Sequence, residues 1–380
     1  MSYSEHEAKH MYRFFQQQTS RNFWPKGSAI KLEETGAKLV LAHDVIARQR
    51  KKEKPAGQRF EFVGPRLPRA VQGLYGTVST IDFTLTPDRF RTTGQDGRGR
   101  IVKYLRGTFV DVEAEEAACA KATHLHAKPL AFASANGCAL IMDKFPGQRL
   151  FDIVEYHADG RRPLDRLGMK KRLELTIALL QALKTQVGEA GLYHLDLKPE
   201  NVIVDLNANP IAVNIVDFGF SVPVNQPVLQ DKGNLLFAAP ERLNGNNNVS
   251  GKTDLFSMAK MIAEVWGSPR ESFGEEAYDI LEIVQAKAVL NSLFNGIDDD
   301  ELKPEDRDVI HKLLYAMLLP DVNKRMALHE ALKGFGALNL GVELCSESSE
   351  GDEGIYTLAA PVTVKVDKES EPHKTCCVMM

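Results

Sequence analysis

Asp196, Lys198 and Asn201 fall within six residues in the run Tyr193-His194-Leu195-Asp196-Leu197-Lys198-Pro199-Glu200-Asn201. Together they offer a carboxylate, an ammonium and an amide oxygen. These are parts that phosphoryl transfer requires: a carboxylate orients the attacking hydroxyl, a cation neutralises charge on the moving phosphoryl group, and oxygen ligands hold Mg²⁺. Sixteen residues after Asn201 stands Asp217-Phe218-Gly219, a second carboxylate after the apolar strand-like segment 211–216, and Ala239-Pro240-Glu241 follows.

Each triplet alone is common, but the ordered set resembles the signature of the eukaryotic-type protein kinases, of Ser/Thr type. The resemblance implies an α+β, bilobal protein kinase fold with a small β-rich N-lobe and a larger α-helical C-lobe. It implies ATP and Mg²⁺ as cofactors, with Mn²⁺ as an alternative ion, and a protein substrate with a Ser/Thr acceptor. By the same resemblance Asp196 accepts the substrate proton, Lys198 stabilises the phosphoryl oxygens, Asn201 and Asp217 hold metal, and Gly219 lets the backbone turn. Lysine two residues after the base is the pattern of Ser/Thr kinases. Asp254 in Thr253-Asp254-Leu255 matches the aspartate that braces the catalytic loop, and Glu241 with Arg325 matches the buried ion pair that fixes the activation segment. Small-molecule kinases on this fold usually lack that ion pair.

The nucleotide side is less regular. Val71-Gln72-Gly73-Leu74-Tyr75-Gly76-Thr77-Val78 resembles a Gly-rich loop with its first glycine replaced by Val71. Gly73 and Gly76 would let backbone N–H groups approach phosphates, and Val78 would cover adenine. Lys103, in Ile101-Val102-Lys103, is expected to point into the cleft from an apolar strand and to meet the phosphates and an acidic helix partner. Glu113, Glu115 and Glu116 are the candidates; alignment of the downstream strand favours Glu115, and Glu116 stays open. Met142 falls at the family's gatekeeper position, and Asp143-Lys144-Phe145 at the hinge whose backbone bonds adenine.

Two departures agree with each other. Leu195 replaces the arginine that pairs with activation-loop phosphate, and segment 220–239 carries a single hydroxyl side chain, Ser221. The expectation is activity independent of activation-loop phosphorylation. Asn234 stands where most Ser/Thr kinases have a threonine touching the base and Lys198; an asparagine could keep a hydrogen bond there, which leaves substrate preference open. Val71 and Asn234 also leave room for a catalytically weak pseudokinase scaffold, and a lipid or small-molecule kinase on the same fold is the other alternative.

The elements that position these groups are legible as periodicity. Phe60 and Phe62, then Thr77, Val78 and Ile81, then 101–105 alternate as an antiparallel sheet. Segment 112–123 reads as one helix set against it, and 139–143 as an apolar strand ending at Phe145-Pro146-Gly147. Helical spacing recurs at Leu173, Ile177 and Leu180, and a broad apolar face at Leu255, Met258, Ala259, Ile262, Val265 and Trp266 marks a central helix. Further helices are expected near 277–293 and 304–318.

At 380 residues, 43% apolar and 26% charged, the composition is that of a globular protein with two to three domain-sized units. The division expected is an unassigned extension (1–58), an N-lobe (59–142), a C-lobe (143–340) and a disordered acidic tail (341–380). The extension carries Tyr12, Phe14, Phe15, Phe23 and Trp24, which pack either on a partner or on the kinase itself, and a basic run, 48–54, read as a solvated helix end or linker. The net charge of −4 excludes general attraction to nucleic acid. The start has no apolar signal core, and five scattered cysteines show no metal-ligand spacing or disulfide framework.

The final residues, Cys377-Val378-Met379-Met380, fit a farnesyl-type prenylation signal, with Cys376 as a neighbouring S-acylation candidate. The expected location is the eukaryotic cytosol, membrane-associated through a prenyl anchor; a bacterial protein delivered into a eukaryotic host fits the same signal.

Overall fold

The computed structural model describes residues 5–18, 20–31, 36, 38–49, 58–66, 76–86, 89–92, 99–105, 109–131, 138–155, 162–226, 234, 236–243, 249–270, 282–298 and 300–340. Val71 and Gly73, the turn 93–98, most of the basic run, and the tail with Cys376 and Cys377 lie outside these residues.

The small lobe is a curled antiparallel sheet with helix Glu5–Gln17 before it and helix Phe109–Lys121 inserted between two of its strands. Among the described residues its strands run in the order Phe23–Trp24, Asp44–Gln49, Gln58–Arg66, Gly76–Thr86, Arg100–Leu105, Cys138–Asp143 and Lys128–Ala131, with Arg89–Thr92 paired to Gly76–Thr86. The alternation that predicts strands from Phe60 onward is therefore present, but the sheet starts earlier. Asp44–Gln49 pairs residue for residue with the start of Gln58–Arg66, from Asp44 opposite Val63 to Gln49 opposite Gln58, so the chain crosses position 58 within one sheet rather than between an extension and a lobe.

The aromatic residues of the first sixty positions explain this arrangement. On helix Glu5–Gln17, Met11, Tyr12 and Phe15 are buried, and they meet Trp24, Phe60, Phe62, Val45 and Leu85 in one cluster on the outside of the sheet. Phe15 lies 4.8 Å from the Trp24 ring and 5.0 Å from Phe60. The opposite face of the sheet sends Ile46, Val63 and Ile81, with Val102, Ala139 and Ile141 from the next two strands, into a second cluster. Strands buried on both faces lack clean alternation, which is why Asp44–Gln49 reads poorly by period.

Arg48 is not at a helix end or in a linker. It lies on strand Asp44–Gln49, where its guanidinium approaches the fully buried Glu61, which Arg59 (3.1 Å) and Arg100 (3.0 Å) also pair. A buried carboxylate needs such partners.

Strand Cys138–Asp143 leads into the helical lobe. Gly147, with φ 96°, turns the chain so tightly that a Cβ there would collide with the carbonyl of Val204. Helix Met169–Ala182, continued by a π-helical turn Leu183–Gly188, packs with Pro304–Met317 and Leu328–Gly336 around Gly251–Val265, which is buried from Thr253 to Val265. Helix Glu282–Asn291 falls inside the segment expected near 277–293. No described helix is long and apolar enough to cross a membrane.

Phe15 tests whether the first helix is integral to the lobe. Phe15→Ala is expected to lower the unfolding free energy by about 3–5 kcal/mol, the usual cost of deleting a buried phenyl ring. Urea denaturation measures it, and an unchanged midpoint would show that the helix contributes no packing.

Candidate active site

Lys103 is set by register. Opposite it stand Val78 on one neighbouring strand and Leu140 on the other, so all three share the sheet face turned to the large lobe, while Tyr104 and Val102 point the other way. Its Nζ donates to Glu115 Oε1 at 2.5 Å and to Asp217 Oδ1 at 2.7 Å. Of the three candidate glutamates, Glu115 makes this contact. Helix Phe109–Lys121 turns it inward, whereas Glu113 is exposed and Glu116 half-buried.

Burial alone would depress the Lys103 ammonium, but the two carboxylates, Asp217 ahead of Glu115, outweigh it and raise its pKa. Burial pushes the Glu115 carboxyl up, with Lys103 partly offsetting it. For Asp217 burial acts upward as well, and the Lys103 ammonium wins, so its pKa is lowered. The lysine thus stays charged and keeps Asp217 charged.

The catalytic-loop residues converge on one carboxylate. Asp196 Oδ2 accepts from Lys198 Nζ at 2.7 Å and from Asn201 Nδ2 at 3.1 Å, and Asp196 Oδ1 accepts from the backbone N–H of Asn234 at 2.8 Å. The Asn234 contact differs from the expectation in its atoms. The side-chain Oδ1 of Asn234 instead accepts from Leu236 N–H, so the backbone, not the amide, reaches the aspartate. Asn201 Nδ2 also bonds the Asp196 carbonyl, which leaves Asn201 Oδ1 without a partner among the described residues.

Two non-glycine residues take left-handed backbone here, Leu195 at φ 63° and Asp217 at φ 64°. Asp254 holds the first: its Oδ2 accepts from His194 N–H at 2.7 Å and its Oδ1 from Leu195 N–H at 2.9 Å. The turn at the second motif is therefore made by Asp217 rather than Gly219. Glycine at 219 answers a different need, because a Cβ there would sit 3.2 Å from Glu115 Oε2. Phe218 is fully buried between the rings of His194 (4.8 Å) and His124 (5.8 Å).

Ser221, the lone hydroxyl of its segment, is 5% exposed and aims its Oγ at the His194 carbonyl, 3.4 Å away. Glu241 and Arg325 form a bidentate pair at 2.7 and 2.8 Å, with Thr253 Oγ1 also donating to Glu241 and the guanidinium stacked over Phe256. Burial would raise the Glu241 carboxyl; Arg325 overrides it and lowers its pKa. Met142 is buried opposite Ile101 at the end of its strand. Asp143 bonds His126, Lys144 N–H donates to the Gly99 carbonyl, and the Phe145 ring stacks on His124. Val78 and Gly76 begin strand Gly76–Thr86, and the rest of the glycine loop lies outside the described residues.

One hub escapes sequence reasoning. Arg270 pairs with Glu264 (2.8 Å), Glu200 (3.3 Å) and Glu155 (3.8 Å), and lies over the rings of Phe151 and Phe237. Burial pushes the Glu264 carboxyl up to about 7. The partners lie six to more than a hundred residues away, so no local pattern could signal them.

The protein kinase domain profile matches residues 121–334, more than half of the sequence. The chain belongs to the protein kinase domain family. The match begins beyond Lys103 and Glu115, so their pairing rests on the geometry above. Among similar proteins, calcium-dependent protein kinase 4 of Plasmodium falciparum is 27% identical over 212 residues, covering 53% of this chain and 37% of that protein. Myosin light chain kinase A of Dictyostelium discoideum is 27% identical over 197 residues, covering 51% and 61%. A probable serine/threonine-protein kinase of Dictyostelium discoideum is 27% identical over 144 residues, covering 34% and 20%. The matches therefore span about one fifth to three fifths of these relatives' length.

The buried pair gives a test. Arg325→Met is expected to destabilise the fold by about 3–5 kcal/mol, because Glu241 is left as an uncompensated buried charge. The double variant Arg325→Met, Glu241→Leu should regain much of that loss; equal destabilisation of single and double variants would show that packing, not charge, decides.

Proposed function

We propose that the protein transfers the γ-phosphoryl group of ATP to serine or threonine hydroxyls of protein substrates. The observation that carries this reading is the convergence of Lys103, Glu115 and Asp217 on one side of the site and Asp196, Lys198 and Asn201 on the other. Glu115 aims Lys103, whose retained charge suits it to the phosphates. Asp196, fixed by three donors, would take the proton of the attacking hydroxyl as its oxygen bonds to phosphorus and the bond to the β-phosphate breaks. Lys198, already on Asp196, is placed to neutralise the phosphoryl oxygens.

Asn201 Oδ1 and the Asp217 carboxylate, whose side chain is 44% exposed, are hard oxygen donors of the kind Mg²⁺ takes, and Mn²⁺ would accept the same pair. Bound there, the ion would neutralise charge on the phosphates. The Glu241–Arg325 pair favours a protein kinase over a small-molecule kinase, and two of the relatives carry serine/threonine or light-chain kinase names.

The decisive measurement is transfer of labelled phosphate from ATP to generic protein substrates. Asp196→Ala should reduce it about 100- to 10,000-fold, the range expected for loss of a general base, while leaving ATP binding intact. If wild type and variant are equally inert yet both bind ATP, the protein is a pseudokinase scaffold. Labelling of lipid alone would make it a lipid or small-molecule kinase.

We propose in addition that the protein resides on a eukaryotic cell membrane through a farnesyl group on Cys377. The support is the sequence pattern Cys377-Val378-Met379-Met380 alone. One isoprenoid anchors only marginally, so acylation of Cys376 would supply the second signal. On cell fractionation Cys377→Ser should move to the soluble fraction and Cys376→Ser should hold the membrane less well. Membrane retention of Cys377→Ser equal to wild type would eliminate the prenyl anchor.

A further inference from the structure

A cavity of about 790 Å³ opens in the small lobe on the sheet face opposite Lys103. Its position follows from register. Thr77 stands opposite Tyr104 and Ser79 opposite Val102, one step out of phase with the Val78–Lys103 pair, so Thr77, Ser79 and Tyr104 form the floor behind the nucleotide side. The walls come from the first residues of the sheet, where Phe23 and Lys26 face Ala42 and His43, and from the bulged strand at Val63 and Pro65.

The cavity has a distinct chemistry. Phe23 and Tyr104 meet edge to face at 6.4 Å and, with Val63 and Pro65, make an apolar wall. Asp44 is engaged on both oxygens: Oδ1 accepts Lys26 N–H at 2.7 Å and Oδ2 accepts the Tyr104 hydroxyl at 3.1 Å. His43 Nδ1 faces the Val63 carbonyl at 2.9 Å; a carbonyl only accepts, so this nitrogen carries the proton. By contrast, the Lys26 ammonium and the hydroxyls of Thr77 and Ser79 have no partner among the described residues.

Ser79 is the informative one. As a residue it is 4% exposed, and its hydroxyl is kept accessible along the cavity rather than sealed in the core. It lines a cavity of the size that small ligands occupy, together with an unpaired cation and two aromatic rings.

We propose that this cavity binds a small amphipathic anion, a flat aromatic body with one acidic head group. The body lies along Phe23 and Tyr104, and the head group takes Lys26 with hydroxyl donation from the floor. Such a ligand would touch, from behind, the strands that carry Val78 and Lys103. If those residues hold nucleotide, occupancy of the two sites is coupled, and each ligand alters the other's affinity by the same factor. That coupling rests on the proposed function, whereas binding in the cavity does not.

The probe is 8-anilinonaphthalene-1-sulfonate, an aromatic sulfonate that fluoresces on leaving water, titrated into the full-length protein with stoichiometry read by calorimetry. One saturable site is expected, retained in saturating ATP. Lys26→Glu reverses the charge at an exposed position, and Ala42→Trp fills the cavity from its exposed rim. Each should weaken the dye at least about tenfold, which is about 1.4 kcal/mol, with thermal midpoints unchanged. Unaltered affinity in both variants, displacement of the dye by ATP, or weak non-saturating uptake would each overturn the proposal. Because the readout is binding, it stands or falls separately from any phosphoryl transfer.

Discussion

The site hangs on one buried carboxylate. Asp254 accepts two consecutive backbone N–H groups, those of His194 and Leu195, and so holds Leu195 in the left-handed conformation that brings Asp196 into place. A leucine there costs on the order of 1 kcal/mol or more, and it persists only because the surroundings over-determine it. Burial pushes the Asp254 carboxyl up, and the two N–H donors act against that shift. The loop that carries Asp196 is thus shaped by a residue that bonds only its backbone.

Asp254 belongs to helix Gly251–Val265, and the same helix fastens the other segments of the site. Thr253 donates to Glu241, which Arg325 grips from the far end of the lobe. Lys260 donates to the Leu236 carbonyl, two residues past the backbone group that bonds Asp196. Glu264 holds Arg270, which in turn reaches Glu200 in the catalytic loop and the ring of Phe237. A helix with so many buried polar groups would be costly unless each was paired. Here each pairing ends on a different segment, so the helix is at once the core of the lobe and the common reference for the loop of Asp196, the segment around Leu236, and the Glu241–Arg325 pair.

What the sequence revealed and what it hid divide along physical lines. Asp196, Asn201, Asp217, Asp254 and the Glu241–Arg325 pair stand in motifs legible in the sequence, and the fold joins Asn201 to Asp196, Lys103 to Asp217, Asp254 to the His194–Leu195 backbone, and Glu241 to Arg325. Glu115 and Glu116 could be separated only by seeing which one the helix turns inward. Asn234 misled because its side-chain type suggested a side-chain bond, whereas a backbone N–H serves. The first strands were hidden for another reason: Phe23–Trp24 and Asp44–Gln49 are short and buried on both faces, and their pairing partners follow after a gap. Arg270 could not be read at all, since its three carboxylates come from separate parts of the chain.

Strand Arg100–Leu105 shows how little separates the two faces of the small lobe. Lys103 points to Glu115 and Asp217; Tyr104, the next residue, points to Asp44 and the cavity behind. A slip of one residue against Gly76–Thr86 would exchange these faces and bury an ammonium among Ile81, Ala139 and Ile141, so the register is strongly enforced. The segment before residue 58 contributes to that enforcement. Asp44 fixes Tyr104 on one face, and the aromatic cluster under helix Glu5–Gln17 holds Gln58–Arg66 and, through Leu85, the neighbouring strand Gly76–Thr86. Positioning Lys103 therefore depends on residues that lie far from the cleft and well outside the part of the chain that matches the family.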